Sequence, residues 1–316
     1  MIPLIKLPLN EDDAQAVADC VKSGQIGLGD DVFKFEKALA EYVGARYVVT
    51  TDSCTSALFL SVKYQNPAYV EIPSMTVPLV ANAIMEAGAD LILDDRTDWV
   101  GNSYRLKGTS IFDSAHELHR DCYKEYPKGS VLCFSFYPTK PIGSADGGAI
   151  VTDSKGLADW ARSMSCYGRN QSTKYQDSWE YEVDLIGYKR HYTNLQAVLC
   201  HSQLKRLDVT NAKRLKIRDR YNEAFGYSNE SLYLYRVMLS NRDEFIKYMR
   251  KKGIACGVHY KPMHMMNAYK HTKFIGTREF VEHAYEHTAS IPFYADMTDE
   301  QVDTVINAVE EWRFKE

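Results

Sequence analysis

The chain has no apolar run long enough to span a bilayer, no internal repeat, no low-complexity tract and no excess of positive charge. Its hydrophobic stretches are short and interrupted, which excludes a membrane-spanning helix. The opening stretch, Met1 to Asp13, turns acidic before the apolar core of a leader develops, so no secretory leader is expected. A formal net charge of -4 and a pI near 6.2 argue against a nucleic-acid binder with a broad basic face. Seven cysteines, odd in number and without close pairing, fit reduced thiols in a cytoplasmic protein better than a disulfide framework. What is present is ordinary for a globular protein: 45% hydrophobic and 25% charged residues over a length of 316, with tyrosine frequent at 22. At about 150 residues per domain, that length predicts two domains or one large α/β unit with an appendage.

Short apolar runs alternate with helical patterns through the first half. Candidate strands are 47–50, 69–72, 91–93, 110–112, 131–134 and 148–152; candidate helices are 11–21, 31–42, 55–62, 78–87 and 157–164. This alternation predicts an α/β fold, a mostly parallel central sheet flanked by helices, with ligands at the carboxyl ends of the strands. A polar stretch from Tyr167 to Glu182 reads as a mobile loop over a pocket. Leu195 to Phe225 reads as one long helix or a broken pair, with the basic run Lys205–Arg220 as a solvated face. The remainder predicts strands at 233–239 and 254–259 and helices at 242–251, 278–287 and 299–313. These make a smaller α+β domain, and the division falls at 1–195 and 196–316.

Three strand-end features carry candidate chemistry. Thr51-Asp52-Ser53-Cys54-Thr55-Ser56 opens a helix with small hydroxyl residues, suited to a phosphate, although plain N-capping by Ser53 or Thr55 explains it as well. Asp113 ends a buried strand, where a carboxylate needs a cation, a hydrogen bond or a capping role. Lys140 stands between prolines in an uncharged stretch, Phe134 to Ala145; such a lysine can act as an amine nucleophile, though a loop lysine is usually just solvated. In this order on an α/β sheet, a phosphate cup, a strand-end acid and an isolated lysine are the parts that pyridoxal 5'-phosphate (PLP) requires.

The sequence resembles the DegT/DnrJ/EryC1/StrS group of sugar aminotransferases, of the type I PLP fold, over nearly its whole length. The resemblance is carried by Gly24–Gly29 with Phe35-Glu36, Ser53–Leu58, Pro73–Thr76, Asp113–His116, Ser135–Lys140 with Asp146-Gly147-Gly148, Gln196-Ala197, Gln203-Leu204, His259–His264 and Ile291-Pro292. It implies that Lys140 carries the cofactor as a Schiff base, Asp113 pairs with its pyridine nitrogen, and Thr55, Ser56 and Ser135 hold its phosphate. His116 takes the place near the phenolic oxygen, and Gly27, Tyr260 and His264 fall in segments that approach the sugar nucleotide. The reaction implied is transfer of an amino group from glutamate to a nucleotide-linked keto sugar, at C-4 of a 4-keto-6-deoxyhexose, in a homodimer with shared active sites.

Three positions depart from the family pattern. Val77 stands where a stacking aromatic is common, Cys54 replaces a glycine at the phosphate, and Lys189 replaces an asparagine that reaches the neighbouring subunit's phosphate. The connections from Asp95 to Ile111 and after Phe225 are short for the family. These departures motivate a second reading, a degenerate member with a regulatory or structural role; retention of Lys140, Asp113 and Ser135 opposes it. A PLP-dependent sugar dehydratase, where histidine typically replaces the lysine, is opposed by Lys140 itself. The pairs His259/His264 and His116/His119 lack a third ligand nearby, so no metal is expected.

Overall fold

The computed structural model describes residues 1–170 and 180–314. Local sequence explains most element boundaries. Helix α1 (Glu11–Ser23) starts at a reciprocal Asn10–Asp13 capping box and stops at Gly24 with φ +72°. Helix α2 (Asp30–Val43) buries Val32, Phe35, Leu39 and Val43 along one stripe. Helix α3 (Cys54–Gln65) is capped by Ser53, which accepts from Ser56 N–H, and α4 (Pro78–Glu86) carries proline in its first position. Helix α5 spans Lys155–Ser165.

The strands build one extended layer. β1 (Tyr47–Thr51), β7 (Gly148–Thr152), β6 (Val131–Ser135), β5 (Ile111–Asp113) and the two-residue β4 (Tyr104–Arg105) lie side by side in that order. β5 and β6 run parallel, while β7 opposes both of its neighbours, so the sheet is mixed. A second set, β2 (Tyr69–Pro73), β3 (Asp90–Asp94) and β9 (Lys273–Ile275), is wholly parallel. Glu71 of β2 exchanges both backbone hydrogen bonds with Lys107, just beyond β4, and so joins the two sets edge to edge. Residues 95–110 hold only β4, in keeping with a shortened connection.

Alternation within the strands fixes both faces of the layer. In β6, Val131 and Cys133 enter the core beneath α3, α4 and α5, while Leu132 and Phe134 enter the core beneath α2. A strand buried on both faces reads as a continuous apolar run, which is why these strands are visible in the sequence.

The long helical stretch is a broken pair, α6 (Asn194–Leu204) and α7 (Leu207–Phe225). Ala197, Cys200 and Leu204 pack with α2, whereas Ile217, Tyr221 and Phe225 of α7 enter a separate C-terminal core. That core also holds α8 (Arg242–Lys251), α10 (Asp299–Arg313) and the antiparallel ribbon of β8 (Tyr235–Met238) and β10 (Thr288–Ile291); α9 (Arg278–His287) precedes β10.

Three expectations need correction or restriction. Residues 254–259 form no strand: Ile254 bridges Ile2 and Gly257 bridges Ser290, so the segment changes partner before a ladder can develop. The basic run on α7 is not wholly solvated, because Arg214 is buried and donates to Asn211 Oδ1 at 2.9 Å and to the Pro141 carbonyl at 3.4 Å. The loop expected over the pocket falls largely on 171–179 and lies outside the described residues; at its margins Arg169 bridges Val183 and Cys166 bridges Lys189.

Asp13 and Arg206 tie α1 to the break between α6 and α7. Arg206 Nη1 donates to Asp13 Oδ1 at 2.8 Å, and Nη2 donates to Asp13 Oδ2 and to the Pro8 carbonyl. Burial pushes the Asp13 carboxyl up, but the Arg206 fork and the Asn10 N–H outweigh it and hold the carboxyl below its usual range. Asp13→Asn strands the guanidinium and should cost about 3 kcal/mol near neutral pH, read as a lower urea midpoint. Because the folded carboxyl titrates below the unfolded one, the wild-type advantage should shrink as pH falls through the folded value.

Candidate active site

A cavity of about 650 Å³ opens at the ends of β5 and β6, against the first turn of α3. The chain elements deliver its groups separately. Ser53, Cys54 and Thr55 come from the start of α3, Asp113 and His116 follow β5, and Ser135 ends β6. Lys140 comes from the loop after β6, Val77 precedes α4, and Tyr260 arrives from the C-terminal region.

The seat of α3 depends on Gly148. A Cβ at that position would lie 2.4 Å from the Cys54 nitrogen and 2.7 Å from its Cα. Glycine therefore lets the start of β7 press against the helix terminus. The helix ladder begins with Ala57 N–H donating to the Ser53 carbonyl, which leaves the earlier N–H groups at the terminus. Cys54 does not crowd this edge with its thiol: Sγ sits 3.6 Å from the Cys133 carbonyl, and burial pushes its pKa well up.

Asp113 is buried, and its Oδ1 accepts from Ala115 N–H at 3.0 Å. Burial raises its carboxyl pKa, only partly opposed by the Ala115 N–H, the Lys140 charge and the Tyr104 hydroxyl. Such a group favours an incoming cationic donor. Lys140 Nζ donates to the Tyr233 hydroxyl at 3.2 Å and lies 4.6 Å from that ring's centroid. The same hydroxyl contacts Thr139 Oγ1 at 3.2 Å. The lysine loop is pinned from below by Arg214 on Pro141 and by paired bonds between Gly143 and Gln203.

His116 is stacked 4.1 Å from Tyr233, and its Nε2 meets the Tyr260 hydroxyl at 3.1 Å. Among the described residues its Nδ1 is buried without a partner. Burial, followed by the charges of Lys140 and His259, pushes its pKa well below the ordinary value, so the ring is neutral. His259 behaves alike: burial first, then Lys140 and Arg236, bring it down to about 4, and its Nδ1 is 2.8 Å from Ser290 Oγ. Trp99, from the shortened connection, adds a ring parallel to Tyr260, with 7° between planes at 6.3 Å.

Of the residues singled out in the sequence, Cys54, Thr55, Val77, Asp113, His116, Ser135, Lys140 and Tyr260 share this cavity. Ser56 stays at the helix terminus without lining it; its Oγ lies 3.1 Å from Ser53 Oγ and accepts from Arg190 at 3.3 Å. His264 is turned away, bonded to Ser74 at 2.7 Å and to Glu282 at 2.9 Å. Gly27 lies on an exposed turn, where its carbonyl accepts from Asn194 N–H, and Lys189 is exposed. Sequence reasoning missed Tyr233, Trp99 and Arg190. The one available signal was a tryptophan inside the compressed connection. Among the described residues, Glu117, His119 and Glu125 form a group with metal-like spacing, partly exposed and absent from the cavity wall.

Comparisons with known proteins give the family and the fold. The model of the DegT/DnrJ/EryC1/StrS aminotransferase family matches residues 8–100 and 111–310, passing over part of the shortened connection. The chain is 31% identical to the spore coat polysaccharide biosynthesis protein SpsC of Bacillus subtilis, covering 96% of this chain and 95% of that one. It is 26% identical to the UDP-4-amino-4,6-dideoxy-N-acetyl-beta-L-altrosamine transaminase of Campylobacter jejuni, over 92% and 91% of the two chains. Among solved structures it superposes on Spr1654 of Streptococcus pneumoniae in its PMP-form with a TM-score of 0.84, at 23% identity and with 100% of each chain covered. The same protein is also solved in a PLP-form. By the extent of the family match and by its fold, the chain is a member of the DegT/DnrJ/EryC1/StrS aminotransferase family.

Proposed function

We propose that this protein is a PLP-dependent aminotransferase that moves an amino group from glutamate to C-4 of a nucleotide-linked 4-keto-6-deoxyhexose. The observation that carries the reading is the convergence of Lys140, Asp113 and the α3 terminus on one cavity. Relatives named for polysaccharide biosynthesis and for an amino-sugar transaminase support the substrate class.

The residues present fit the cofactor. The free N–H edge of α3 with Thr55 and Ser135 suits a phosphate, and Asp113 offers a buried acceptor for a protonated ring nitrogen. The unpartnered Nδ1 of His116 faces a need that a ring oxygen meets. When bound, PLP supplies an electron sink for breaking and forming bonds to nitrogen. Asp113 would hold the ring-nitrogen proton in place. Lys140 would serve as the amine and then move the proton at the reacting carbon, with Tyr233 fixing its Nζ. The aromatic surface that Val77 lacks is available from Trp99 and the Tyr233–His116 stack.

The same reading takes the protein as a homodimer. Lys189 is exposed on its own chain, beside the uncovered apolar side chains Val183, Leu185 and Ile186, the last 97% exposed. A second copy would cover that strip, and Lys189 would then serve its partner's phosphate.

Lys140→Ala should abolish the visible absorbance of bound PLP and its bleaching by glutamate; a mutant that stays yellow and fully active sinks the assignment. Tyr233→Phe keeps the ring but removes the hydroxyl, and kcat should fall about tenfold with PLP affinity little changed. An unchanged kcat would show that the Lys140–Tyr233 contact has no role in turnover.

A further inference from the structure

Tyr104 lies in the shortened connection, between the two stretches that match the family. It is nevertheless buried, and register fixes its place. In the antiparallel pair of β4 with β5, Tyr104 stands directly opposite Asp113, so the two side chains leave the same face of the layer. Strand alternation agrees: Ile111, two residues before Asp113, enters the same core as Tyr104. The Trp99 ring packs on the phenol with centroids 4.3 Å apart. The preceding Ser103 Oγ donates to the Asp113 carbonyl at 3.2 Å and lies 2.7 Å from Ser114 Oγ, so the segment also holds the backbone of that strand end.

The hydrogens of this cluster can be counted. Tyr104 Oη is 3.0 Å from Thr76 Oγ1, and each hydroxyl has one hydrogen to give. An ionised Asp113 only accepts, and its Oδ1 already takes the Ala115 N–H. The arrangement that leaves neither hydroxyl idle runs one way: Thr76 donates to Tyr104, and Tyr104 donates to Asp113. Charge effects carry the same sign. Burial, followed by the Asp113 charge, pushes the phenol well above its usual range, so it keeps its hydrogen as a donor. On Asp113, burial raises the carboxyl, and the Ala115 N–H, the Lys140 charge and the Tyr104 hydroxyl pull it back. The other titratable groups sharing this field are Cys54, Cys133 and Tyr260, all kept neutral by burial near pH 7.

We propose that Tyr104 is a positioning residue for Asp113: its phenolic hydrogen holds the carboxylate in the orientation that presents it to a protonated ring nitrogen. The inference rests on the aminotransferase reading, which supplies that nitrogen. Tyr104 is not part of the cavity wall and acts through Asp113.

The test follows the Asp113 carboxyl by NMR in full-length protein carrying carbon-labelled aspartate, first without PLP, with Asp113→Asn assigning the resonance. Tyr104→Phe keeps the ring that packs on Trp99 and removes the hydroxyl; its Asp113 midpoint should lie about one pH unit above that of wild type. Replacing Tyr104 by 3-fluorotyrosine keeps the shape and makes the phenol a stronger donor, so the midpoint should move down instead. A purely structural role would not move the two variants in opposite directions. With PLP bound, Tyr104→Phe should lower the rate of bleaching at saturating glutamate about fivefold and leave the half-saturating glutamate concentration unchanged. Equal midpoints in wild type and Tyr104→Phe, or an unchanged saturating rate, overturn the proposal. If Tyr104→Phe does not fold, an unmoved or raised midpoint in the fluorotyrosine protein overturns it. Opposite midpoint shifts in a protein that takes up no PLP would instead refute the aminotransferase reading and leave the Tyr104–Asp113 contact standing.

Discussion

The close seat of α3 on β7 is the contact on which the rest of the site depends. With backbone against backbone at Gly148, the helix terminus opens on the same cavity as the ends of β5 and β6. Any side chain at 148 would push the helix away from the sheet and separate its N–H edge from Asp113 and Ser135. The second glycine after Asp146 is therefore a packing requirement. The cysteine that follows Ser53 is tolerated for a related reason: its sulfur lies against the Cys133 carbonyl of β6.

Around that seat the protein spends its buried polar groups unevenly. Asp113 is left with an elevated carboxyl, His116 with an unpartnered nitrogen, and Lys140 with a single phenolic hydroxyl. Elsewhere, buried carboxylates are matched by cations, as with Asp13 and Arg206, or Glu36 with Arg162 and Thr50. Buried groups left short of partners along one cavity wall are what a ligand site looks like before its ligand arrives. The neutral histidines add to this by leaving Lys140 as the basic side chain in the wall.

Most of the fold was legible because its strands are buried on both faces and its helices carry caps and stripes. Strands β4 and β9 were not legible: two or three residues hold too little periodicity, and their pairing depends on distant chain. Among site residues, Thr55, Asp113, Ser135 and Lys140 were legible because each sits in a local motif next to its strand. Tyr233 and Trp99 reach the cavity through tertiary pairing, which leaves no local mark. His264 shows the converse, since its motif neighbour Tyr260 enters the cavity while Ser74 and Glu282 hold the histidine elsewhere.

The pairing of β9 with β3 has a consequence for how the chain is made. β3 ends at Asp94, but its outer partner begins at Lys273. At roughly 5–20 residues per second, a ribosome needs on the order of 10–40 s to deliver that partner. During that interval the β3 edge is an open row of backbone donors and acceptors, the kind of edge that recruits foreign strands. The charges at its two ends, the exposed Asp90 and the half-buried Asp95, guard it in the meantime, as charged gatekeepers do for unavoidable apolar strands. The late segment thus acts as a clasp: the layer that carries the active site is closed only when nearly the whole chain has emerged.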